Sequence, residues 1–143
     1  MQKIAIILIL LININTIFSE KTLASDYANY TYKEKDYQHI WCKQNNGIEE
    51  YENPDCTRVD CLTQTHAIEF DFDKKWAECI GQALHYGIQT GKKPKCVLIL
   101  RGNNPARKKV YFQRIKTISE KYGFEVEYIT DEILNNKNCN FRH

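Results

Sequence analysis

The residues of this sequence best suited to chemistry are carboxylates with lysines close behind them. The stretch THAIEFDFDKKWAE, residues 65–78, carries Glu69 and Asp71 two apart, followed by Lys74 and Lys75. On a strand, residues two apart share a face, so Glu69 and Asp71 project together while Phe70 looks the other way. Asp60 lies upstream, in RVD. If 57–62 and 67–72 are strands joined by a short polar turn, Asp60 and Glu69 point to one face near one end of a sheet. Two or three carboxylate ligands, with water completing the shell, suit Mg²⁺ or Mn²⁺. Such an ion activates water and neutralises charge developing on a phosphate. A lysine beside it positions the water or stabilises the transition-state charge. The competing reading of the same charges is a solvated strand face that runs into a charged helix start.

The elements that must position these groups follow from periodicity. Residues 74–90 have a helical period: Trp76, Ile80, Leu84 and Ile88 recur at four-residue steps as the expected buried stripe, and Gly91 is placed to end the helix. Lys75, Cys79, Gln82 and Tyr86 fall at steps of 4, 3 and 4, which is one neighbouring stripe. Gln82 and Tyr86 therefore reach toward the strand carboxylates or toward a phosphate. A first helix is expected over 26–44, with Tyr30, Tyr37 and Trp41 on its apolar side and Asn45, Asn46 and Gly47 to stop it. A short strand follows at 48–51, then a turn at Asn53, Pro54 and Asp55, and then the two acid-bearing strands. The run CVLIL, 96–100, reads as a strand buried on both faces. Pro105 opens a helix to about 122, with Tyr111, Ile115, Ile118 and Tyr122 on one stripe. Residues 124–129 alternate as a last strand. The order is helix, three strands, helix, strand, helix, strand. It implies an α/β fold with a mixed sheet flanked by helices.

Three motifs carry a family resemblance: RVD (58–60), IEFD (68–71) and GQALHY (81–86), the last containing a Q-x-x-x-Y helix motif. With the element order, they resemble the PD-(D/E)XK nuclease superfamily, closest to its RecB-like branch, over about residues 26–130. The resemblance implies a restriction-endonuclease-like αβββαβ core and Mg²⁺- or Mn²⁺-dependent hydrolysis of phosphodiester bonds, with DNA or RNA as substrate. By matched positions Asp60 is the strand-two aspartate, Glu69 the strand-three acid, and Gln82 and Tyr86 the helix pair. Glu34 is the candidate for the helix-one acid that some members use. The chain departs from the pattern at Asp71, which stands where the family has its lysine. Lys75, at the start of the Gln82–Tyr86 stripe, is the substitute, with Lys74 second. Asp71 then joins Asp60 and Glu69 as a metal ligand.

Length and composition bound these readings. A chain of 143 residues is one domain by length. Lys3 and the apolar run 4–14 form a signal peptide expected to be cleaved between 19 and 24, leaving 25–143 as one nuclease-like domain that is secreted or periplasmic. No later apolar segment is long enough to span a bilayer. The formal net charge of +2 excludes a strongly basic binder, although Arg101, Arg107, Lys108, Lys109, Arg114 and Lys116 cluster within sixteen residues. Six cysteines fit an exported, disulfide-containing chain. Cys42, Cys56 and Cys139 occupy loop or end positions, whereas Cys61, Cys79 and Cys96 fit small buried hydrophobes. The rival to an enzyme is an inactive nuclease-fold module that binds nucleic acid or protein. A third reading is a small disulfide-stabilised secreted factor.

Overall fold

The computed structural model describes residues 32–102 and 104–135. The expected signal segment, residues 26–31 with Tyr30, and Cys139 lie outside the described residues. The first described helix, α1, is Glu34–Gln44. Glu34 and Asp36 in its first turn and Lys43 in its last suit the helix dipole. The Asp36 carboxylate accepts from the Lys33 N–H at 2.6 Å. Tyr37, Ile40 and Trp41 supply a buried stripe at helical spacing. Strands β1 (Ile48–Glu52), β2 (Arg58–Leu62) and β3 (His66–Phe72) follow as an antiparallel meander. A 3₁₀ turn, Asp73–Lys75, leads into α2 (Trp76–Thr90), which ends at Gly91 with φ 65°. Then come β4 (Lys93–Ile99), α3 (Pro105–Tyr122), β5 (Glu125–Ile129) and a closing 3₁₀ turn, Asp131–Asn135. The five strands form one mixed sheet in the order β1-β2-β3-β4-β5, with β3, β4 and β5 parallel.

Each parallel pair requires a crossover, and α2 and α3 provide them on one face of the sheet. There Cys79 and Ala83 of α2 and Ile115 of α3 pack on Cys96, Leu98 and Leu100. On the other face Tyr37, Trp41 and Cys42 of α1 pack on Cys61, Ile68, Phe70, Val97 and Ile99. The run 96–100 is buried throughout, as its unbroken apolar character predicts.

Four expectations are corrected. Cys61 is not a free buried thiol: it is bonded to Cys42 and ties β2 to the end of α1. Of the remaining described cysteines, Cys56 is exposed and free, whereas Cys79 and Cys96 are buried and free. The buried stripe of α2 is Cys79, Ala83 and Tyr86, with Trp76, Ile80 and Leu84 flanking it half-buried and Ile88 79% exposed. Small side chains let the helix approach the sheet closely, so the close-contact line is Cys and Ala rather than the bulkiest residues. By the same rotation Cys79 and Tyr86 are core-facing, not members of a polar line. On α3, Ile115 and Ser119 are buried while Tyr122 is 67% exposed.

The turn after α1 passes directly over the disulfide. Gly47 donates to the Cys42 carbonyl at 2.9 Å, and a Cβ at that position would collide with the sulfurs of both Cys42 and Cys61. Glycine is required there by close approach.

Candidate active site of clustered carboxylates

Asp60 occupies an interruption in the sheet. The β1–β2 register runs from Glu49↔Cys61 to Tyr51↔Val59 with no pair at Glu50 and Asp60. Glu50 takes φ 53°, a bulged, left-handed conformation for a strand residue. On the other side, β2–β3 pairing stops at Cys61↔Ile68, one residue short of Asp60 and Glu69. Side chains from outside the ladder meet the freed backbone groups. Gln38 Nε2 donates to the Asp60 carbonyl at 2.6 Å and to Glu50 Oε1 at 3.1 Å. The Asp60 carboxylate accepts from the Phe70 N–H at 2.8 Å. Face alternation breaks at the same place: Cys61 packs with the α1 core, but Val59 packs with Leu62, Ala67 and Tyr86 under α2.

This interruption brings the acids together. Glu69 and Asp71 are buried on the α2 side of β3, as strand parity predicts. Glu69 forms a carboxyl–carboxyl hydrogen bond with Asp60. Its Oε2 and Asp71 Oδ2 accept no hydrogen bond among the described residues, and Asp71 Oδ1 faces the Lys75 ammonium. Glu34, in the first turn of α1, reaches the same group, interacting with Asp60 and hydrogen-bonding Asp71. Burial is the leading cause of raised carboxyl pKa values throughout. Glu69 is pushed up to about 10, with the Asp60 and Asp71 charges adding to burial. Asp71 rises to about 7, with Glu34 adding and Lys75 opposing. Asp60 rises to about 6, held back by the Phe70 N–H. Glu34 is raised by burial and by Asp60. Burial and mutual repulsion thus favour a proton held within the Asp60–Glu69 pair.

The helix side chains complete the constellation. Lys75 Nζ lies 3.3 Å from Asp71 Oδ1 and 3.4 Å from Glu78 Oε2. Burial works against its charge, but Asp71 and Glu78 more than offset this and raise its pKa. Gln82 Nε2 donates to the Tyr86 hydroxyl at 3.4 Å. Tyr86 is raised to about 12, first by burial and then by Glu69. All six residues singled out from the sequence, Asp60, Glu69, Asp71, Lys75, Gln82 and Tyr86, therefore belong to one electrostatically coupled neighbourhood, with Glu34 beside them. Lys74 is exposed.

Sequence reasoning missed Gln38 and Glu50. Gln38 was legible in principle: it lies one helical turn after Glu34 and so shares its face. Glu50 was not, because IEEYE contains no glycine to announce a bulge. His85 and Asp55, the latter in the turn after β1, meet each other at 2.7 Å. His66 bonds Glu125 at 2.9 Å at the surface end of β3. Part of the basic cluster holds the turn after β3: Arg107 Nη2 donates to the Arg101 carbonyl at 3.1 Å, Arg107 Nε lies 3.7 Å from buried Asp73, and Arg101 stacks 3.5 Å over Phe72.

The donor set is entirely oxygen, which is the chemistry of hard divalent cations. Among the described residues, no group of three or more His, Cys, Asp or Glu side chains is arranged to hold a metal ion as it stands. The physical reason is in the contacts: Asp60 and Glu69 share a hydrogen bond, and Asp71 faces an ammonium. A cavity of about 560 Å³ elsewhere, lined by Trp41, Lys95, Glu127 and Ile133 among others, is a poorer candidate because its one lysine is already paired with Glu127. No helix among the described residues is long and apolar enough to cross a membrane. No family model, curated protein or solved structure matches this chain.

Proposed function

We propose that this protein is an exported Mg²⁺- or Mn²⁺-dependent nuclease that hydrolyses phosphodiester bonds at the carboxylate cluster. The observation that carries the reading is the gap at Asp60. Two neighbouring strands give up their ladder pairs there, and the freed space is filled with carboxylates, of which Glu69 Oε2 and Asp71 Oδ2 accept no hydrogen bond among the described residues and Asp71 Oδ1 meets the Lys75 ammonium. Buried polar groups in a structural core are satisfied, and perturbed carboxyl clusters are a mark of functional sites. The Cys42–Cys61 disulfide suits an oxidising compartment, in keeping with export.

In this reading Asp60, Glu69 and Asp71 hold the cation, with Glu34 able to reach the same space. When bound, the ion supplies an activated water and charge neutralisation at the phosphate. Glu69 gives up its proton on loading, so affinity rises with pH. Lys75, already drawn in by Asp71, stands in for the lysine that strand β3 lacks and faces the developing negative charge. Gln82 orients the Tyr86 hydroxyl, whose raised pKa keeps it a neutral hydrogen-bond donor. Gln38 holds Asp60 in place through its backbone carbonyl.

The test is incubation of the mature protein with plasmid, single-stranded DNA and RNA, with and without Mg²⁺ or Mn²⁺. Cleavage that requires metal and vanishes in Glu69→Ala is the expected result; retained cleavage in Glu69→Ala removes this site. A second reading, an inactive module of the same fold, is favoured by one observation: Asp71 occupies the position where the resembling family has its lysine. It is distinguished by the absence of any metal-dependent cleavage.

A further inference from the structure

A second feature lies on the same face of the sheet as the acids. The ends of β4 and β5 and the first turns of α3 enclose a hollow of about 290 Å³, lined by Leu100, Pro105, Lys108, Lys109, Phe112, Tyr128 and Thr130. Its lining is mainly apolar, yet two lysines border it, and neither forms an ion pair among the described residues. Phe112 and Tyr128 meet edge to face with centroids 4.9 Å apart, and Tyr128 is 51% exposed. Asp71, Leu98 and Tyr128 stand in one cross-strand row, since Asp71 pairs with Leu98 and Leu98 with Tyr128. Residues in register on parallel strands point the same way. Two strand spacings put Tyr128 about 10 Å from Asp71 along the sheet.

We propose that this hollow takes an unpaired nucleobase of the substrate strand, stacked against Phe112 and Tyr128, with Lys108 and Lys109 on the adjoining phosphates. The inference rests on the nuclease reading and narrows its substrate to single-stranded nucleic acid or to an unpaired end. An exposed aromatic surface beside uncompensated ammonium groups matches a ligand that is aromatic and anionic at once. A base inside a duplex offers only its edges, so it cannot stack on protein without being displaced. Aromatic stacking is tolerant of sequence because every base has a π face, and lysines along the backbone add a salt-dependent, sequence-independent part.

The experiment measures binding apart from cleavage. The full chain carrying Asp60→Asn is titrated, in chelator, with fluorescent probes of equal length: a thymidine homopolymer, a uridine homopolymer, an abasic deoxyribose-phosphate strand and a duplex. Both base-bearing single strands are expected to bind about tenfold more tightly than the abasic strand. The added variant Tyr128→Ser abolishes that preference, and Tyr128→Trp, which restores a ring, keeps it. Lys108→Gln with Lys109→Gln weakens base-bearing and abasic strands alike and flattens the salt dependence. Equal affinity for base-bearing and abasic strands, or a preference that survives in Tyr128→Ser, overturns the base site while leaving any cleavage result intact. Base-dependent binding without metal-dependent cleavage in the parent protein upholds the hollow and overturns the enzyme.

Discussion

The two faces of the sheet treat charge in opposite ways. On the α1 face, Lys95 meets Glu127 at 2.6 Å and lies 5.2 Å from the centre of the Trp41 ring, and the Trp41 indole donates to Glu127 at 3.1 Å. These three side chains satisfy one another within the fold. On the α2 face, Glu69 and Asp71 are more deeply buried, yet Glu69 Oε2 and Asp71 Oδ2 accept no hydrogen bond among the described residues. The first arrangement stabilises a surface; the second leaves carboxylates crowded and partly protonated. Folding stability alone would favour apolar residues at these β3 positions, because buried carboxyls whose hydrogen bonding is incomplete cost free energy. On the nuclease reading proposed above, the α2 face is the one shaped by a ligand.

The strongest way to break this comparison is Asp60→Asn. The amide still accepts from the Phe70 N–H but removes a ligand charge. Cleavage is expected to fall by on the order of 10³-fold, while the melting temperature stays level or rises. A nuclease assay paired with thermal denaturation checks both, and a fall in stability without loss of cleavage would make Asp60 a structural residue. Next comes Lys75→Ala against Lys74→Ala. Only the Lys75 change is expected to slow cleavage, by about 10²-fold; equal, near-parent rates would move the search for the cation to the Arg101–Lys116 cluster.

A smaller effect should appear in stability against pH. Asp60, Asp71 and Glu69 all hold protons more tightly folded than an unfolded chain would. Their contribution to stability is full below the ordinary carboxylate range and is lost as pH rises through about 6 and 7 and on toward 10. The metal-free protein is thus expected to melt several degrees lower at pH 8 than at pH 5, roughly the scale of a few kcal/mol. Glu69→Gln should flatten that slope, and calorimetry across the range decides it. The smallest change is expected on the opposite face. Glu127→Gln should cost only about 1 kcal/mol and leave cleavage at the parent rate. A large loss of activity there would erase the difference between the faces.

The site was legible in the sequence where local periodicity governs it. HAIEFDF fixes which β3 residues share a face, because strand alternation admits no other solution once one face is apolar. The four-residue step from Asp71 to Lys75 likewise places them together across the start of a helix. The mixed sheet with helices on both faces followed from element order. Long-range choices were not legible. The rotation of α2 depends on how closely Cys79 and Ala83 let it approach the sheet, which hydrophobicity does not report. The partner of Cys42 depends on how α1 lies over β2. The bulge at Glu50 lies opposite Asp60, ten residues on, so it depends on how β1 and β2 pair.

The crossing of the chain over the Cys42–Cys61 bond has an evolutionary corollary. With the sulfurs occupying the space where a side chain at position 47 would begin, the three residues are tied into one unit of inheritance. Related sequences that keep both cysteines are expected to keep Gly47, and those that lose either cysteine are free to place a side chain there. A set of homologues carrying both cysteines with a bulky residue at that position would contradict this linkage.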